Sequence, residues 1–215
     1  MAKPEIIGSL RSSYTRAVRM VCEEKGIDHV LTEALLGAPE LRAIHPFGKM
    51  PVLRHGDFVL CESKAIATYL DRVFPGPQLI PSDPQALART EQWVSLINTV
   101  MDPTLVRGYL LAYAFSRTAD GKPDRAVIDA VLPAVRSQLA LLETAVAKTG
   151  YLVGHQFTFA DINLLPILFY VRQLPEAASA FDENTNLGRY YATHAARPSF
   201  VRTIPPDGPP QRASV

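Results

Sequence analysis

Three places in the chain put chemistry-bearing residues at the start of a regular element. Ser12 lies between the apolar segment Glu5–Gly8 and a run from Ser13 to Lys25 in which Ala17, Val18, Val21 and Cys22 recur at helical spacing. A serine there is first of all an N-cap. It is also a hydroxyl donor at the positive end of a helix, where an anion gains about 0.3–1 kcal/mol. Ser13 and Tyr14 are competing donors at the same junction. Glu62 and Ser63 open a second helical pattern. Capping accounts for them. So does a binding role: free N–H groups and the Ser63 hydroxyl suit a carboxylate, and the Glu62 carboxylate suits an ammonium. Thr158 and Asp161 stand at capping-box spacing before an apolar run, with Phe157 as a staple; their role is folding.

The elements that must position these groups change character halfway along the chain. Residues 5–74 alternate strand and helix signals. Strands are expected at Glu5 to Gly8, His29 to Leu35, Pro51 to Leu53 and Phe58 to Cys61, with a turn at His55-Gly56-Asp57. Helices are expected at Ser13 to Lys25, stopped by Gly26, and at Glu62 to Phe74. Between the second and third strands, Pro39 and Pro46 mark an irregular or helical stretch. The order implies a small mixed sheet with helices against it. Residues 75–84 hold four prolines and read as a linker. Beyond it strand signals vanish. Long helices are expected from Gln85 to about Ser116, bent near Pro103, from Arg125 to Lys148, and from Asp161 to Arg172. The last is apolar all round and so central. Short helices at Leu187 to Ala196 and Ser199 to Thr203 and a Pro-rich tail close the chain.

Composition removes several classes of function. The 215 residues carry a net charge of +1, which argues against a nucleic-acid binder. The longest apolar run, Leu164 to Val171, is far short of the ~20 residues a membrane span needs. The N-terminus lacks a secretion signal's apolar core, so a cytoplasmic location is expected. The only cysteines, Cys22 and Cys61, form no disulfide framework, and with five scattered histidines they offer no metal-ligand spacing. Both are expected to be buried and inert. No cysteine stands at position 12, 13 or 14, which weighs against a thiol-disulfide reductase.

Four motifs carry a resemblance over nearly the whole chain: Arg11-Ser12-Ser13-Tyr14 through Val18-Arg19; Pro46-Phe47-Gly48-Lys49-Met50-Pro51-Val52-Leu53; Glu62-Ser63-Lys64-Ala65-Ile66; and Thr158-Phe159-Ala160-Asp161. Together they resemble the cytosolic glutathione transferases of the serine type, with zeta and tau classes nearest in pattern. His45 stands where Asn is commoner. The resemblance implies an α/β thioredoxin-like domain at 1–76, a linker at 77–84, an all-α helical domain at 85–204 and a tail at 205–215.

The resemblance also implies the chemistry. Glutathione would be the co-substrate, with no metal. Ser12 would stabilise its thiolate. A thiol has a pKa near 8.5, and lowering that by about two units takes roughly 2.7 kcal/mol; one hydrogen bond to a charged sulfur supplies about 1.5–3 kcal/mol. A hydroxyl is too weak a base to take the proton, so its role would be donation. Met50, before a cis Pro51, would meet the cysteinyl part, Glu62 and Ser63 the γ-glutamyl end, and Lys49 the glycyl carboxylate. A small hydrophobic electrophile would lie between the domains near Arg11, Tyr14, Arg107, Tyr109 and Tyr113. A homodimer is implied, without nucleic acid or membrane. Two alternatives share the fold: a glutathione-dependent cis-trans isomerase of a dicarboxylate (maleylacetoacetate or maleylpyruvate type), bound by Arg11 or Arg107, and a non-catalytic glutathione-binding protein.

Overall fold

The structure, a computed structural model, describes residues 2–115, Thr118 and 121–206. The chain divides into two compact units. One runs to Ile80 and takes up the chain again from Ala196; the other is Pro81–Ala195.

The first unit is built on four strands: β1 (Glu5–Gly8), β2 (Val30–Glu33), β3 (Val52–His55) and β4 (Phe58–Cys61). They lie in the order β2-β1-β3-β4, with β1 and β2 parallel and the other pairs antiparallel. Helices α1 (Ser13–Lys25), α2 (Pro39–Ile44) and α3 (Ser63–Val73) complete this part. Side chains alternate across the sheet. Ile7 and Val52, register partners, pack with Ala34 and Leu41. Ile6 and Leu53 therefore face the other side, and both are fully buried. Gly26 ends α1 in the left-handed conformation, at φ 65°, where its N–H reaches the carbonyls of Cys22 and Glu23.

The segment read as a linker is fastened to this unit as far as Ile80. Asp71 accepts the N–H groups of Leu79 and Ile80, and the Lys25 ammonium joins Asp71 to the Pro77 carbonyl. The returning segment carries α9 (Pro198–Val201). Here the structure departs from the expected boundary, which left residues up to 204 with the helical domain. The fully buried Arg16 donates from Nε to the Thr203 carbonyl, and its guanidinium lies 5.0 Å from the Phe200 ring centroid. Arg197 pairs with Glu24 through both nitrogens. Side chains of α1 thus hold the segment. The Pro-rich tail beyond Pro206 lies outside the described residues.

The second unit is helical: α4 (Pro84–Leu96), a π-helical stretch Ile97–Leu110, α5 (Leu111–Ala114), α6 (Arg125–Val146), α7 (Phe159–Val171), a 3-10 turn Ala178–Phe181 and α8 (Asn186–Ala195). The expected long first helix is a continuous helical run over 84–114. Its irregularity is spread over the π-helical turns around Pro103 rather than confined to one bend. Proline has no N–H to give and crowds the preceding turn, and wider turns absorb both defects. α7 is buried along nearly its whole length, as its uniform apolarity demands. Asp161 closes the capping box with Thr158 and also accepts from Leu152 N–H and the Tyr190 hydroxyl. Among the described residues, no helix is long and apolar enough to cross a membrane.

Candidate functional site

In the first unit the turn after β1, the loop before β3 and the start of α3 carry the predicted residues. Ser12 is the N-cap of α1. Its backbone is extended, at φ −71° and ψ 123°, and its Oγ accepts the Thr15 N–H at 3.2 Å. A hydroxyl accepts and donates at once, so the cap leaves the Ser12 proton available. The turn is packed tightly from below. A Cβ on Gly8 would collide with Thr15 Oγ1 and stand 3.3 Å from the Met50 Cβ.

The Met50-Pro51 bond is cis, as the resemblance implied. The Met50 side chain adds a contact with no sequence signal: its sulfur accepts the Ser9 N–H at 3.1 Å. The loop carrying Met50 is thereby joined to the turn that carries Ser12. Lys49 is exposed, its Nζ 5.9 Å from the Phe47 ring centroid.

Glu62 is the one described residue other than glycine with positive φ, at 70° with ψ 115°. That region costs a side-chain-bearing residue free energy, and such residues gather at binding sites. Its carbonyl accepts from Ile66 N–H, but its carboxylate makes no capping bond and is 74% exposed. Capping therefore does not account for its side chain. Ser63 beside it is buried. His45 is buried beneath this corner, and its Nε2 lies 3.8 Å from Glu62 Oε1. Tyr14 and Arg11 are half-buried on the same turn, and Arg11 donates to the Pro206 carbonyl at 3.0 Å.

Cys22 is fully buried, as expected; Cys61 is only half-buried, a correction that follows from its place at the end of the edge strand β4. Burial, with Glu23 beside it, pushes the Cys22 thiol up to about 12. Burial and the neighbouring Glu62 raise that of Cys61. Among the described residues, no group of three or more His, Cys, Asp or Glu could hold a metal ion.

The remaining predicted residues, Arg107, Tyr109 and Tyr113, belong to the helical unit. Tyr109 is fully buried, so its ring is part of the helical core. Its hydroxyl donates to Glu176 at 2.8 Å, and Tyr113 donates to both oxygens of the same carboxylate. Arg125 completes the cluster by donating to Glu176 and Asp129. Burial alone would raise the Glu176 pKa. The bonds from Arg125, Tyr113 and Tyr109 outweigh it and hold it at about 2. Burial and the Glu176 carboxylate raise both phenols. Arg107 pairs with Asp102 at 3.0 Å. Sequence reading missed Glu176, because its partners lie 51 to 67 positions away.

Residues 6–78 match the family model for the glutathione S-transferase N-terminal domain, and residues 100–198 match that for the C-terminal domain. The chain is similar to glutathione S-transferase 3 of Zea mays, with 31% identity over 213 residues, covering 95% of this chain and 94% of that protein. Among solved structures it is similar to a glutathione S-transferase from Methylobacillus flagellatus with glutathione bound. The identity there is 31% and the TM-score 0.78, covering 94% of this chain and 99% of the other. A theta-class enzyme from Xanthomonas axonopodis, also with glutathione bound, gives 28%, 0.80, 95% and 98%.

Proposed function

The chain belongs to the glutathione S-transferase family, and on that premise we propose that it is a serine-type transferase in which Ser12 holds the glutathione thiol as a thiolate. The observation that carries the reading is the Ser12 cap. Its oxygen is engaged by the Thr15 N–H, so its proton is left to donate at the positive end of α1. Glu62 and Ser63 would hold the ammonium and carboxylate of the γ-glutamyl end, Met50 would pair through its backbone with the cysteinyl part, and Lys49 would meet the glycyl carboxylate. The exposed, uncapping Glu62 carboxylate on a left-handed backbone supports this assignment. The thiolate then attacks a hydrophobic electrophile. The protein contributes thiolate stabilisation and proximity, without a covalent enzyme intermediate. Transfer is favoured over isomerisation of a dicarboxylate because the two arginines that would bind one already have partners, Arg107 in Asp102 and Arg11 in the Pro206 carbonyl. A homodimer belongs to the same reading; Phe47, 77% exposed in the first unit, is the kind of apolar surface an interface covers.

The test is the ultraviolet thiolate signal of bound glutathione followed against pH. Wild type is expected to show thiolate at neutral pH, and Ser12→Ala to move its midpoint up by about one to two units. An unchanged midpoint in the variant would transfer the role to Tyr14 or Ser13. Bound glutathione that stays a thiol in the wild type would leave a non-catalytic binding protein.

A further inference from the structure

We infer that His45 positions the Glu62 carboxylate for the ammonium group of glutathione, an inference that rests on the assignment of Glu62 above. The His45 side chain is only 2% exposed, so its ring nitrogens have little water to bond. One has an evident partner. Nδ1 accepts the Phe47 N–H at 3.0 Å. An accepting Nδ1 assigns the proton of the neutral ring to Nε2. That nitrogen is the one 3.8 Å from Glu62 Oε1.

The distance is too long for a direct hydrogen bond. It is short enough that a small rotation of the exposed Glu62 side chain, or one bridging water, completes it. Glu62 needs such a partner. Its backbone is fixed in the left-handed region, but its carboxylate is otherwise free in solvent, with no capping bond to orient it. Holding it before the ligand arrives removes an ordering cost from binding. Lys49, the nearest cation on the same loop, is drawn over the Phe47 ring. Cys61, next to Glu62, turns its sulfur to the Ile44 carbonyl. His45 is thus a positioning residue: it reaches the ligand only through Glu62.

The two ring nitrogens can be separated by substitution. His45→Asn keeps an acceptor for the Phe47 N–H and removes the Nε2 donor. His45→Gln keeps a donor at the Nε2 position and removes the acceptor. The probes are glutathione and glutaryl-cysteinyl-glycine, which lacks only the amino group, with dissociation constants from titration calorimetry and thermal unfolding as the fold check. Wild type is expected to prefer glutathione. His45→Asn should reduce that preference by about two- to fivefold, leave affinity for the analogue unchanged, and raise KM for glutathione with kcat retained. His45→Gln should restore the preference. Full preference in His45→Asn would overturn the inference, and so would equal loss in both variants, which would place the effect in the Phe47 turn. If the wild type does not distinguish the two ligands, the Glu62 assignment itself is wrong.

Discussion

Two groups of polar side chains, one in each unit, are used in opposite ways. In the helical unit three carboxylates are filled by protein donors: Glu176 takes the Tyr109 and Tyr113 hydroxyls and Arg125, Asp161 takes the Leu152 and Thr158 N–H groups and the Tyr190 hydroxyl, and Glu143 takes the Asn186 and Leu187 N–H groups at the start of α8. In the first unit the groups around Ser12 are held in place but not used up. The Glu62 carboxylate and the Lys49 ammonium are exposed, and the Ser12 hydroxyl, though it accepts the Thr15 N–H, keeps its capacity to donate. A filled carboxylate stabilises, because the buried donors around it have their acceptor. An unfilled one on a fixed backbone binds. Substitutions in the helical unit should therefore be read out in stability, and those in the first unit in chemistry.

The largest effect is expected at Asp161. Asp161→Ala leaves two backbone N–H groups and the Tyr190 hydroxyl buried without their acceptor. The loss should be about 3–5 kcal/mol, read as the midpoint of denaturant unfolding. A loss below about 1 kcal/mol would mean the box is dispensable, and the contrast would fail at its strongest point. Glu176 comes next and gives the contrast a pH signature. Its folded pKa is depressed to about 2. Such a group contributes stability that is fully present above its unfolded pKa, near 4.3, and is lost as pH falls toward 2. The contribution is at most about 3 kcal/mol. In Glu176→Gln the fall in stability across that window should be correspondingly shallower, while glutathione affinity at neutral pH stays the same.

Ser12→Ala should reverse the pattern. Losing the cap costs about 1 kcal/mol of stability. Losing the donor costs about 1.5–3 kcal/mol of thiolate stabilisation, roughly a ten- to hundredfold lower kcat at neutral pH. Tyr113→Phe, which also removes a hydroxyl, should leave the thiolate midpoint where it was. Equal midpoint shifts in both variants would dissolve the distinction.

Much of this was legible in the sequence where the signal is local. The limits of α1 are written in Ser12 and Gly26, and the burial of α7 in its unbroken apolar face. The Thr158-Asp161 box was visible from spacing alone. What escaped depends on contacts between distant positions. No periodicity announces that Glu176 will gather Tyr109, Tyr113 and Arg125. Nor does any assign Thr203 as the acceptor that returns the segment after α8 to the first unit. Backbone conformation is equally silent: nothing in the letters Cys61-Glu62-Ser63 says that the middle residue has positive φ.

Arg107 marks the weakest edge of the contrast, since it lies in the helical unit yet is half-exposed. Its partner Asp102 is nearly buried, while its own side chain is 56% exposed. An ion pair with one end in water is worth about 0–1 kcal/mol. Arg107→Gln should therefore change stability by less than about 1 kcal/mol and leave glutathione affinity alone. Its value lies in the substrate it discriminates. If the natural electrophile were a dicarboxylate, the guanidinium would leave Asp102 to meet it, and the variant would raise KM for that substrate while sparing a neutral one. Equal kinetics on both would confine Arg107 to its ion pair, and would complete the division in which the helical unit's charges serve the fold.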